Sequence, residues 1–143
     1  MKNDNNFVLF EILEGKNFSI AYINLDLRDF DRKHEFPYEL VVDITPKEYR
    51  IEGEIGQPTI KEAEFLAQLE RELVTELEKN VTAIYMGHLS HSVRREIIFY
   101  LQEPNSADLY MKEWIKTAKR KTDFKINIDP IWGRFDFLLK QLI

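Results

Sequence analysis

Apolar and polar residues alternate through several short stretches of this chain, and apolar residues recur at helical spacing through two longer ones. Phe7–Glu14 and Phe18–Leu27 read as strands joined by Glu14-Gly15-Lys16-Asn17, where glycine is free to take positive φ. In the second of them Ser19, Ala21, Ile23, Leu25 and Leu27 share the face expected to enter a core, with Ile20, Tyr22, Asn24 and Asp26 on the other. Arg28 to Phe36 is dense in charge and predicts a solvated loop. Tyr38, Leu40, Val42 and Ile44 then alternate with Glu39, Val41 and Asp43, which predicts a strand with one apolar and one mostly polar face. Thr45–Gln57 holds Pro46, Gly53 and Gly56 and reads as an irregular link with a short extended piece at Tyr49–Glu52.

The first helix announces itself at Thr59-Ile60-Lys61-Glu62, the spacing of a capping box. From there Ile60, Ala63, Leu66, Ala67, Leu69, Leu73, Val74 and Leu77 form an apolar stripe that ends near Lys79-Asn80. A central hairpin follows, Val81–Leu89 and Val93–Leu101, with Ser90-His91-Ser92 as its link. Glu103-Pro104 breaks the chain, Asn105 or Ser106 offers a cap, and a second helix runs to about Lys121 with Ala107, Tyr110, Met111, Trp114 and Ala118 facing inward. Phe124, Ile126 and Ile128 alternate with Lys125, Asn127 and Asp129 in a last strand stopped by Pro130, and Ile131–Ile143 is a short aromatic tail with room for a final helix.

From Tyr38 onward the order is βαββαβ. Right-handed crossovers put both helices on one side of a four-stranded antiparallel sheet, so the expected class is α+β with a ferredoxin-like core. The expected organisation is a single domain over 1–143, with an N-terminal hairpin at 7–27, the core at 37–129 and a C-terminal tail at 130–143. The hairpin must extend the sheet or cover its edge.

Composition narrows the class further. At 143 residues, 44% hydrophobic and 13% aromatic, the chain can bury a core without disulfides or metal. Cysteine is absent, which removes thiol catalysis and thiolate metal sites and suits a reducing compartment. The start, Met1-Lys2-Asn3-Asp4-Asn5-Asn6, has no secretory signal pattern, and no apolar run approaches the roughly 18 residues of a membrane helix. A soluble cytoplasmic protein is expected. The formal charge of −5 argues against a dedicated nucleic-acid binder.

Gly56-Gln57-Pro58-Thr59 leading into a helix, Arg95-Glu96 opening an aromatic strand through Phe99-Tyr100, and Asp129-Pro130-Ile131-Trp132 followed by Phe135 and Leu138 resemble the bacterial domain of unknown function 695. The Asn24-Leu25-Asp26-Leu27 segment ahead of Pro37-Tyr38 is similar to that family too, and the likeness extends over nearly the whole chain. The resemblance implies a ferredoxin-like α+β fold and brings no activity, cofactor or catalytic residues. The chain departs from the pattern at Ser90-His91-Ser92, where glycine is more usual.

Candidate chemistry is sparse. His88 and His91 stand three apart and would need a converging carboxylate to hold a metal; solvent-exposed turn residues are the plainer account. Asp26, Asp29 and Asp31 are interleaved with Arg28, Arg32 and Lys33 and lack the glycine and terminal glutamate of a calcium loop. Lys112, Lys116, Lys119, Arg120 and Lys121 give the second helix a basic edge, for which the acidic first helix is a nearer partner than RNA. Trp114 and Trp132 are expected core anchors. No nucleophile elbow, phosphate loop or dinucleotide fingerprint occurs, so no catalytic residue, cofactor or metal is assigned.

One surface stands out. Glu39, Asp43, Arg94, Glu96, Ile98, Tyr100, Lys125 and Asp129 are placed by alternation on the sheet face opposite the helices. An open face carrying charges, an isoleucine and a tyrosine suits docking of another protein, against the alternative of cross-strand ion pairs on a wet sheet. The expected function is therefore a non-catalytic binding or regulatory module, inhibitor- or immunity-like in one form. It would act on another protein or a second copy through this face or a sheet edge. The alternative is an enzyme or small-ligand binder with a pocket between the N-terminal hairpin, the 45–57 link and the C-terminal tail.

Overall fold

Alternation along the strands gives a single sheet two apolar surfaces, and in the structure each of them is covered. The structure, a computed structural model, describes all residues except 1–5, 16, 48, 53, 54 and 143. Its architecture is mixed α+β. The strands β1 (Phe7–Glu14), β2 (Asn17–Asn24), β3 (Tyr38–Ile44), β6 (Ala83–His91), β7 (Arg94–Leu101) and β8 (Thr122–Ile128) form one antiparallel sheet in the order β1-β2-β6-β7-β3-β8. A separate small ladder pairs β4 (Tyr49–Glu52) with β5 (Ile55–Pro58). The helices are α1 (Ile60–Asn80), α2 (Asn105–Thr117) and α3 (Gly133–Leu142).

The N-terminal hairpin extends the sheet, with β2 docked against β6. The second predicted strand stops at Asn24, whose side chain accepts the Asp26 amide at 3.0 Å and starts a 3-10 turn over Leu25–Asp29. Leu27 still reaches the core, but from that turn.

On one face, α1 and α2 set Leu66, Leu69, Leu73, Leu77, Ala107 and Met111 against Leu40, Val42, Ile44, Ile97, Phe99 and Leu101. Thr59 Oγ accepts the Glu62 amide at 3.2 Å, as the capping pattern predicts. The Glu62 carboxylate also leaves the helix to take Arg120 at 2.7 Å and the Lys47 amide at 2.7 Å. Helix α2 is capped differently from expectation: the Glu103 carboxylate, not Asn105 or Ser106, accepts the amides of those two residues at 2.7 and 3.1 Å. Trp114 is half-buried, so only Trp132 is the full anchor expected of both tryptophans.

The other face was expected to stay open. Instead α3 packs Phe135 and Leu138, with Trp132 ahead of them, against Ala21, Ile23, Met86, Leu89, Ile98 and Tyr100. The tail is thus a structural layer of its own.

Two backbone positions shape the central strands. The β6–β7 link is Ser92-Val93, one residue later than the predicted turn, with Val93 at φ 57. Gly87, at φ 144, sits on an irregularity in the β6–β7 register, where a Cβ would lie 1.9 Å from the Tyr22 carbonyl oxygen. Backbone cannot step aside as a side chain can. G87A is therefore expected to cost toward the upper end of the about 1–3 kcal/mol of ordinary overpacking, read as a lower urea midpoint.

Candidate functional site

Cross-strand register brings most of the predicted docking residues together, though not on an open surface. Glu39 faces Tyr100 and Asn127, and Asp43 faces Glu96 and Asp123, so Glu39, Asp43, Glu96, Ile98 and Tyr100 form one patch over β3 and β7. Glu39 and Glu96 are only 4% and 3% exposed, and Ile98 and Tyr100 are fully buried. Asp43 is half-buried; Arg94 and Lys125 lie exposed around the patch. The expectation of an uncovered face is corrected here: the tail returns over it and supplies the cation its carboxylates need.

That cation is Arg134, in the first turn of α3. Its Nη2 donates to Glu96 Oε1, and its Nη1 lies 3.7 Å from Glu39 Oε2. Asn127 donates to the other Glu39 oxygen at 3.1 Å. Arg94 stands 3.9 Å from Asp43 Oδ1 at the patch edge. Burial works against the charge of Glu96, but the His91 hydrogen bond and Arg134 outweigh it and hold the carboxyl below its usual range. Burial pushes Glu39 up, only partly offset by Asn127 and Arg134, and it pushes Asp43 up with help from the Glu96 charge. With three carboxyls side by side, Glu96 has the closest contact to a cation and keeps its charge most readily.

Asp129 belongs to the helix rather than to the sheet surface. Its carboxylate accepts the amides of Gly133 at 2.8 Å and Arg134 at 3.2 Å, and the Tyr100 hydroxyl at 2.8 Å. Burial, then the Asp129 bond and charge, raise the Tyr100 phenol far above its ordinary range, so it stays a neutral donor. Asp129 therefore ties the start of α3 to β7.

The histidines separate onto opposite faces. His91 lies 2.8 Å through Nδ1 from Ser19 Oγ and 3.0 Å through Nε2 from Glu96 Oε1. Hydroxyl, imidazole and carboxylate in that order match a nucleophile relay. Ser19, however, sits inside the β1–β2–β6 ladder rather than on the strained turn that presents a nucleophile, so the trio acts as a cross-strand clasp.

His88 belongs to a second ion network under α1, one that sequence inspection misses. Glu70 accepts from Arg95 at 2.6 Å and from the Tyr85 hydroxyl, and lies 2.9 Å from His88 Nδ1. Burial alone would raise this carboxyl, yet His88, Arg95 and Tyr85 bring it down to about 2. The partners are 15 to 25 residues away along the chain, so no local motif marks them.

The remaining candidates are structural or peripheral. Asp26 accepts from Asn6 at 2.9 Å, and Asp29 and Asp31 are exposed. Among the described residues, no group of three or more histidines and acids is arranged to hold a metal. On the basic helix Lys112 pairs with Asp108 and Lys116 with Glu113; α2 ends at Thr117 rather than near Lys121, and Arg120, in the link to β8, reaches Glu62 and stacks 4.0 Å over Phe65. For the ligand-binding alternative, the structure sets His88 and Tyr100 on opposite faces of the sheet, one under α1 and one under α3. Apolar side chains fill the contact between the hairpin and the tail. The 48–57 part of that alternative falls largely outside the described side chains.

Among the described residues, one surface that stays uncovered is the outer face of the N-terminal hairpin. Register sets Leu9 opposite Tyr22, Glu11 opposite Ile20 and Leu13 opposite Phe18, all on the side away from the α3 core. Leu9 and Leu13 are 65% and 69% exposed, on the strand that ends the sheet.

The family of unknown function DUF695 matches the chain over residues 8–139, nearly its whole length. The chain belongs to this family. Among curated proteins and among solved structures, nothing matches it. Within the matched span, Glu96 and Tyr100 from β7 meet Asp129, Trp132, Phe135 and Leu138 from the tail in the α3 seal. No helix is long and apolar enough to cross a membrane among the described residues.

Proposed function

We propose that this DUF695 chain is a non-catalytic protein-interaction module that works through the N-terminal edge of its sheet and the adjoining hairpin face. The observation that carries this reading is the pair Leu9 and Leu13, large apolar side chains left in solvent on an edge strand. Native sheets blunt such edges with charge, proline or cover, because an apolar edge recruits other strands. The other edge is more polar: β8 carries exposed Asp123, Lys125 and Asn127, with one exposed apolar residue, Ile128, at its end. Of the charged groups expected to dock a partner, Glu39 and Glu96 face inward onto Arg134 instead.

A ferredoxin-like core for β3-α1-β6-β7-α2-β8 is part of the proposal, supported by the neighbour order β6-β7-β3-β8 and two helices on one side. One form of the role is inhibitor- or immunity-like action on a basic partner, which the formal charge of −5 suits. A bacterial, cytoplasmic setting completes the reading, and the cysteine-free composition is compatible with it.

Affinity capture from the native host tests it, using wild-type bait beside the L9K/L13K double variant. The substitutions sit on solvated positions, so the variant is expected to keep its melting temperature and lose a specific partner. An identical set of proteins on both baits refutes the reading.

A further inference from the structure

The β1 edge has a pattern that narrows the partner. Read outward from Glu11, β1 is palindromic in character: Phe10 mirrors Ile12, and Leu9 mirrors Leu13. Its hydrogen-bonding groups follow the same symmetry. Glu14 and Asn17 are the last pair of the ladder with only two residues between them, which makes them the closing hydrogen-bonded pair of the hairpin. Bonding toward β2 then alternates back through Ile12, Phe10 and Val8. The amides and carbonyls of Leu13, Glu11, Leu9 and Phe7 are left pointing away from the sheet.

From this we infer that β1 pairs with the β1 of a second copy of the same chain, antiparallel, with Glu11 on the two-fold axis. The inference rests on the interaction reading above and names its partner. In this register the outward groups of Glu11 meet those of Glu11 in the other copy, and Leu9 meets Leu13 twice, each a hydrogen-bonded pair. Leu9 and Leu13 then cover one another on the helix side, and Phe10 and Ile12 of each copy adjoin on the α3 side, joining two six-stranded sheets into one. The two Glu11 carboxylates oppose each other across the axis, and like charges directly opposite weaken a pairing. The dimer is accordingly reversible rather than permanent.

The absence of cysteine makes the register directly readable. E11C places one thiol per chain at the axis, where hydrogen-bonded partners have Cα atoms about 5.5 Å apart, within disulfide reach. Mild oxidation is expected to link E11C chains into covalent dimers. L9C alone and L13C alone are expected to stay unlinked, while a mixture of the two forms L9C–L13C heterodimers. In sedimentation equilibrium the wild type is expected to show a monomer–dimer equilibrium. E11Q should tighten it about 2- to 5-fold by removing the like-charge pair, and L9K/L13K should abolish it.

A purely monomeric wild type well above micromolar concentration overturns the inference, as does an E11C chain that fails to link. If the wild type is monomeric but Leu9 and Leu13 still govern capture of a different protein, self-pairing is refuted and the wider interaction reading survives. If neither behaviour depends on them, both are refuted.

Discussion

Glu70→Gln is expected to destabilise this protein by about 3–5 kcal/mol, a large share of the roughly 5–15 kcal/mol that holds a domain together. The glutamine amide can still accept from Tyr85, so little volume or shape is lost. What is lost is the negative charge beside Arg95 and His88, both nine-tenths buried under α1. A guanidinium stranded in that position has no water to turn to, and its desolvation dominates the loss. Removing both charges tests this account: E70L/R95M is expected to recover part of the loss, because an apolar pair needs no solvation. Equal destabilisation of the single and double variants would place the effect in packing instead.

The same carboxylate sets an acid limit. Its folded-state pKa lies at about 2, below the ordinary 4.5, so the folded protein holds fewer protons and gains stability above the ordinary value. That contribution is complete above about 4.5 and is lost as pH falls toward about 2. Urea melts across this window should show the wild type converging on E70Q. A gap that stays constant would mean that Glu70 does not carry the linkage.

Local rules account for most elements because they act over a few residues. Thr59 caps α1 as its spacing predicts, Leu40, Val42 and Ile44 enter the core by alternation, and Pro130 ends β8. The failures share a different cause. Ser92-Val93 turns the central hairpin with a β-branched residue at φ 57, a conformation such residues avoid, so a turn placed by residue type falls one position early. Glu39, Asp43 and Glu96 look like a wet sheet face because their polarity is local, whereas the arginine that permits their burial lies beyond β8 in the tail. Glu70 is hidden for the same reason. Its stripe position on α1 resembles any solvated glutamate until β6 and β7 bring Tyr85, His88 and Arg95 to it. The exposed Leu9 and Leu13 are equally invisible to alternation, which reports that a strand has two faces and not which of them a helix reaches.

Trp132 decides whether the second face stays sealed. Its ring stacks on Tyr100 with centroids 4.0 Å apart and 8° between planes, meets Phe135 edge-on, and donates from Nε1 to the Phe36 carbonyl at 2.9 Å. It does so from φ 55, a left-handed conformation that costs an L-residue roughly 1–2 kcal/mol. Burying an indole outweighs that penalty, since truncating one to alanine costs about 3–5 kcal/mol. W132A is expected to lose this full amount, because the backbone strain remains while the ring that offset it is gone. Phe36 would be left with an orphaned carbonyl, and α3 without its largest apolar contact over Ile98 and Tyr100. W132F keeps the stack and forfeits the Nε1 bond, so its loss should fall near 1–3 kcal/mol. Hydrogen exchange gives the sharper reading: in W132A the amides of Gly133–Leu142 should lose protection ahead of α1 and α2, along with those of the face they cover. Uniform loss of protection across all three helices would instead make the seal inseparable from the rest of the fold.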